Sequence, residues 1–140
     1  MTNYVIDANV LMSILISGKA AYRPILNYYN FIVPDFALVE IDKYRVNIEQ
    51  RTKLKTIELR QWTYVIFQEV TVLPAYVLEE SILEKAHDLV KSVDEKDITY
   101  VALSMQLDLF LITRDKPLHA HLRKQGFRKV MLFDTFLQNI

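Results

Sequence analysis

Four acidic positions stand out among the side chains able to do chemistry. Asp7, in VIDANVLMS, falls between an apolar strand-like run and an apolar helix-like run, with Asn9 two residues on. Asp115 repeats the pattern in LFLITRDKPL, just after Thr113 and Arg114. Glu40, in PDFALVEIDKY, shares one helical side with Phe36, Val39, Lys43 and Tyr44, so a carboxylate edges into an apolar stripe. Asp97, in SVDEKDITYVALSMQ, has Val101 and Ser104 at i+4 and i+7, near the buried side of an otherwise apolar helix. Gathered in one pocket, four carboxylates repel one another. Hard divalent cations remove that repulsion: Mg²⁺ and Mn²⁺ take oxygen ligands and keep several waters, with no need of histidine or cysteine. An ion so held lowers the pKa of a water and polarises a phosphoryl oxygen, and two ions ~3.5–4 Å apart stabilise both oxygens of an in-line displacement. The inventory supports metal-dependent phosphodiester cleavage.

Ordinary structural roles compete for the same residues. Asp7 can cap the helix that follows it, and Asp115 can cap one entered through Pro117. Asp35 is the expected N-cap of the Glu40 helix, and Asp42 is turned toward solvent. Asp94 is well placed as an N-cap, with Asp97 reaching back in a capping box, and Asp94 is also the alternative to Asp97 as third acid. Taken singly, capping accounts for the strand-end acids. Two of them in one small sheet face the same crevice, which capping does not require.

The elements that position these acids are legible in the apolar pattern. Tyr4–Ile6, Phe31–Val33, Val70–Leu73, Leu109–Thr113 and Val130–Phe133 read as buried strands without alternation, as in a parallel sheet covered on both faces. Between them the pattern predicts helices over Asn9–Ser17, Tyr22–Tyr29, Ala75–Val90, Lys96–Leu107 and about Leu118–Gln125, with a short one at the end. Phe36 to about Gln68 reads as two helices or a helical hairpin. Trp62, Tyr64, Ile66 and Phe67 there carry more apolar surface than one face needs, so core packing and a homodimer interface both fit. Such alternation predicts an open α/β sheet in one domain over residues 1–140, with ligands beyond the strands' carboxyl ends.

Composition removes other classes. The absence of cysteine excludes disulfides, thiolate metal sites and cysteine nucleophiles. Gly18 and Gly126 are too few and too far apart for a phosphate-cradling loop. His87, His119 and His121 lack metal-site spacing. Asp7, Gln68 with Glu69, and Asp108 break the longest apolar stretches below the ~18 residues of a membrane span, and the start lacks a signal-peptide pattern, so a cytoplasmic protein is expected. Net charge is zero, yet Lys43–Arg60 carries +4, Arg114–Lys129 +5 and Glu69–Asp108 −6. Such clustering can steer a polyanion to one face, or simply mark solvated helix sides. A phosphatase or receiver domain fits less well: Asp7-Ala8-Asn9 lacks the second aspartate of the common phosphatase motif.

The sequence resembles the PIN-domain family, and within it the small prokaryotic members that include VapC-type toxins. The matching residues are Asp7 and Asn9 in IDAN, Glu40 after the second strand, Asp97 ahead of ITYVALS, and Thr113 with Asp115 in LITRD. The resemblance implies a Rossmann-like three-layer α/β/α fold, a central parallel five-stranded sheet of order 3-2-1-4-5, and cleavage of single-stranded RNA with Mg²⁺ or Mn²⁺. It makes Asp7, Glu40, Asp97 and Asp115 the metal-binding acids, and Asn9 and Thr113 (with Asp94) the groups that orient a carboxylate or water. Arg114, Lys116 and Lys43 are candidate RNA-backbone contacts. An antitoxin protein is an implied partner, which could insert an arginine among the carboxylates. A non-catalytic RNA-binding or protein-interaction module on the same fold is the alternative.

Overall fold

A computed structural model of the chain describes residues 2–91 and 95–140. Its strands are β1 (Asn3–Ile6), β2 (Asn30–Pro34), β3 (Thr71–Leu73), β4 (Leu111–Thr113) and β5 (Val130–Leu132). All four pairings are parallel, and the order is β3-β2-β1-β4-β5. Val5, Ile6, Val33, Leu111 and Ile112 are wholly buried, as a sheet covered on both faces demands. The expected α/β fold and strand order are both present.

The helices are α1 (Ala8–Ser17), α2 (Tyr22–Tyr28), α3 (Phe36–Lys43), α4 (Arg45–Arg51), α5 (Thr56–Glu69), α6 (Glu80–Val90), α7 (Ile98–Leu107), α8 (Lys116–Lys124) and α9 (Phe133–Gln138). The chain moves from β1 outward to β2 and β3, then returns across the sheet to β4 and β5. Direction therefore reverses between β1 and β4. In open sheets the ligand crevice lies there, beyond the carboxyl ends. Asp7 follows β1 directly, and Asp115 follows β4 by two residues.

Several element boundaries differ from the sequence reading, each for a local reason. The Phe36–Gln68 stretch forms three helices, because Tyr44 breaks the first junction and extended Thr52 (φ −71°, ψ 149°) the second. The Thr52 hydroxyl donates to the Ile16 carbonyl at 3.0 Å and accepts from the Leu54 amide at 3.2 Å, which ties this turn to the end of α1. Gly18 makes that approach possible. Its φ is +59°, and a Cβ there would lie 2.6 Å from Leu54 Cδ1.

The expected Ala75–Val90 helix is instead a 3₁₀ turn over Ala75–Val77, extended residues Leu78 and Glu79, and then α6. The Glu79 amide donates to Gln106 Oε1 of α7 at 3.0 Å, an interaction no single-helix periodicity could foretell. Asp108 closes α7 in the left-handed region (φ 54°), a conformation aspartate tolerates better than most residues. Its turn occupies Leu109, so β4 begins at Leu111 instead. Lys129 Nζ fixes that turn, 2.7 Å from Asp108 Oδ1. Phe133 opens α9 and does not end β5.

Trp62, Ile66 and Phe67 turn inward, and the Trp62 indole donates to the Ile14 carbonyl at 2.9 Å. Tyr64 remains exposed, as does Ile57 one heptad before it. Among the described residues, no helix is long and apolar enough to cross a membrane.

Candidate functional site

Asp7 and Asp115 do cap their helices, each with one oxygen. Asp7 Oδ1 accepts from the Val10 amide at 2.9 Å, and Asp115 Oδ1 from the Leu118 amide at 3.0 Å. Capping is thus a real part of both residues' work. It leaves the other oxygen of each for something else.

Thr113, wholly buried at the end of β4, links the two acids. Its hydroxyl donates to Asp7 Oδ2 at 2.5 Å and accepts from the Asp115 amide at 3.0 Å. Ile6 and Ile112 are in register across β1 and β4, so the residues that follow them are brought side by side. Glu40 enters from the second turn of α3, where Tyr100 of α7 donates its phenol to Oε1 at 2.5 Å. Asp97 stands at the N-cap position of α7 without a side-chain capping bond. Asp7, Glu40 and Asp97 are 3%, 9% and 7% exposed, which sets them apart from the solvated acids elsewhere on the chain. Asp35, expected to cap α3, makes no capping bond and accepts instead from the Ala75 amide at 3.3 Å.

Asp7, Asn9, Glu40, Lys96, Asp97 and Tyr100 line one narrow crevice of about 10 Å³, the room of roughly one water or ion. Asp115 stands just beyond it, half-buried. The acids feel one another. Burial is the largest reason that the Asp7 carboxyl is pushed up to about 6, and the charges of Asp115 and Glu40 push the same way. Hydrogen bonds from Thr113 and Val10 oppose them. The Tyr100 phenol is raised well above its ordinary value, first by burial, then by the Glu40 bond and by the charges of Glu40, Asp7 and Asp97. Four acids from four separate stretches therefore share one electrostatic neighbourhood.

The donor set fits a hard cation. Every candidate ligand is a carboxylate oxygen, and Glu40 and Asp115 each keep a second oxygen outside the hydrogen bonds just described. Among the described residues, no three carboxylates stand as a ready-made ligand cluster. Thr113 and Tyr100 hold one oxygen each of Asp7 and Glu40.

The other expected site residues divide. Asn9 lines the crevice, and Thr113 bridges Asp7 and the Asp115 amide. Asp94 lies outside the described residues. Arg114 donates to Ser13 Oγ and lines a larger hollow next to the crevice. Lys116 opens α8 and faces a separate recess with Asp134. Lys43 lies over the Tyr44 ring, 5.5 Å from its centroid, and is not part of the hollow's lining.

Sequence reasoning missed Tyr100 and Lys96. A tyrosine inside an aliphatic helix, three residues after an acid, was the available signal, because a buried phenol needs a partner.

The chain belongs to the PIN-domain family, whose sequence signature matches residues 5–131. Its fold is similar to that of PAE2754 from Pyrobaculum aerophilum, with a TM-score of 0.69 and 15% identity over 99% of this chain and 94% of that one. It is also similar to VapBC2 from Rickettsia felis bound to a DNA fragment from their promoter. There the TM-score is 0.59 and the identity 9%, over 94% of this chain and 97% of that one. At these identities the likeness concerns the fold. No curated protein matches the chain in sequence.

Proposed function

We propose that this PIN domain, read as one unit over residues 1–140, is an endoribonuclease that cuts single-stranded RNA with Mg²⁺ or Mn²⁺ held by Asp7, Glu40, Asp97 and Asp115. The observation that carries this reading is geometric: Asp7, Glu40 and Asp97, from three separate stretches of a PIN-domain chain, line one crevice, and the Thr113 hydroxyl joins Asp7 to the Asp115 amide beside it. The ion, when bound, supplies charge to offset the carboxylates and the phosphodiester, and a water acidic enough to attack phosphorus.

The chain's own residues do the rest. Thr113 fixes the Asp7 carboxylate, and the amide of Asp115, two residues on, donates to the same hydroxyl. Tyr100 holds Glu40 from below. Arg114, exposed at the rim, is placed to meet an RNA phosphate.

The competing reading is a non-catalytic RNA-binding or interaction module. It draws on Lys96, whose ammonium-bearing chain lines the same crevice and brings positive charge there without an ion. One experiment separates them. Purified protein with Mn²⁺ should cut a single-stranded RNA, and Asp7→Asn and Asp115→Asn should fold yet lose that cleavage. Undiminished cleavage by either variant refutes the assignment of the acids. RNA binding that weakens with salt, without cleavage under any divalent ion, favours the module.

A toxin role, with an antitoxin partner set against the acidic crevice, is supported by the fold's likeness to the VapBC2 complex. A cytoplasmic location, where RNA is at hand, is part of the same proposal. For the homodimer, the exposed Ile57 and Tyr64 of α5 are the face we propose, and Tyr64→Glu should then shift a dimer to monomer in sedimentation.

A further inference from the structure

A hollow of about 420 Å³ opens beside the acidic crevice, between α1 and α4. That volume lies within the roughly 300–1,000 Å³ of small-ligand sites. Glu40, Asn9 and Lys96 line both cavities, so the hollow leads directly to the acids. Met12 and Ile16 of α1 and Ile48 of α4 give it apolar walls. Tyr44, Asn47 and Arg51 fall with Ile48 at i, i+3, i+4 and i+7, so one helical face presents a ring, an amide and a guanidinium to the same space. Arg114 faces them across the mouth. Among the described residues, neither Arg51 nor Arg114 is paired with a carboxylate.

A bare phosphate site would need only the guanidiniums. Apolar walls, an aromatic ring and an amide make the lining suited to a flat heterocycle with hydrogen-bonding edges. Bases stack on aromatic side chains whatever their identity, whereas an amide distinguishes their edges. Arginine forks match phosphate oxygens in pairs.

We infer that this hollow is a nucleotide subsite for the residue next to the scissile phosphate. The base lies against Tyr44 and the aliphatic wall, Asn47 reads its edge, and Arg51 and Arg114 bind flanking phosphates. The inference rests on the nuclease reading and deepens it. A base can enter only when unstacked, so the hollow selects single strands.

The test uses fluorescein-labelled eight-nucleotide homopolymers of A, C, G and U, followed by fluorescence anisotropy at several salt concentrations. Binding is measured on the full chain carrying Asp7→Asn, so that affinity is read apart from cleavage. Arg51→Ala should weaken binding about tenfold, as loss of one charge-assisted contact implies. It should also flatten the dependence of log affinity on log salt by about 0.7, the value of one phosphate contact to a single strand. Asn47→Ala should leave that slope alone and even out the affinities for the four bases.

Both residues are exposed on α4, and an unchanged melting midpoint confirms folding. Unaltered affinity and slope in Arg51→Ala overturns the inference. So does a parent protein that binds all four polymers equally or not at all, or an Asn47→Ala variant with unchanged base preference. If both variants behave as expected but protein with the natural Asp7 fails to cut these RNAs in Mn²⁺, the subsite stands and the nuclease reading falls.

Discussion

Replacing Asp7 by asparagine should stabilise the metal-free protein while abolishing the proposed RNA cleavage. The Asp7 carboxyl is raised from 3.8 to about 6, chiefly by burial. Protonation therefore favours the fold. That contribution is fully present below about pH 4 and is lost as pH rises through 6. At pH 7.5 the ionised carboxylate costs roughly 3 kcal/mol relative to an unperturbed one. Asparagine keeps an acceptor for the Val10 amide and caps as well as aspartate does. Its amide meets Thr113 with a donor in place of an acceptor, so part of the gain is lost and about 1–3 kcal/mol should remain. For a chain of this size that is roughly 3–9 °C in melting midpoint. The assay is thermal or urea unfolding in EDTA at pH 7.5 and again at pH 4, where the two proteins should converge. Titrating Mn²⁺ should then stabilise only the natural sequence, by about 2.7 kcal/mol at a hundredfold excess over its Kd. A variant less stable than the parent at pH 7.5 in EDTA, or a gap unchanged at pH 4, would refute the reasoning.

Thr113→Val removes the hydroxyl that joins Asp7 to the Asp115 amide; Mn²⁺ affinity by calorimetry should fall about 10–100-fold. Tyr100→Phe leaves the buried Glu40 carboxylate without its donor, which should cost about 1–3 kcal/mol in urea unfolding, with part of that loss restored by Mn²⁺. Gly18→Ala places a Cβ 2.6 Å from Leu54 in a left-handed backbone, so equilibrium unfolding should show a loss of at least about 1 kcal/mol.

The strands and the strand-end acids were legible because their signals are local. VIDAN sets a lone acid, and LFLITRD an arginine and an acid, directly after an apolar run, and the fold converts that juxtaposition into a position at the carboxyl edge of the sheet. Helix breaks were less legible. Nothing near Leu78 or Glu79 in sequence announces that Gln106 will take up an amide there, and Thr52 finds its acceptor 36 residues away. Lys43 and Arg51 illustrate the same limit for charge. Both belong to one basic stretch, but the turn at Tyr44 sends Lys43 over a ring and Arg51 into the hollow. Periodicity within a helix sets faces; it cannot set how consecutive short helices are rotated.

The site's architecture follows from a conflict between folding and chemistry. Buried carboxylates destabilise a core unless they are hydrogen-bonded, yet a ligand set fully consumed by hydrogen bonds cannot take an ion. Here Asp115 and Glu40 are divided, whereas Asp7 has both oxygens engaged. One oxygen of Asp7 is committed to Val10 and the other to a hydroxyl, one oxygen of Asp115 caps α8, and one of Glu40 meets Tyr100. Backbone amides hold the caps, whereas the side-chain partners are a hydroxyl and a phenol, which can turn their protons toward other acceptors. On the proposed reading, the fold thus tolerates its acids without an ion and can reorganise them around one. Burial is the larger part of what hydrogen bonding leaves uncompensated at Asp7, with the charges of Asp115 and Glu40 adding to it, and on that reading a cation offsets both.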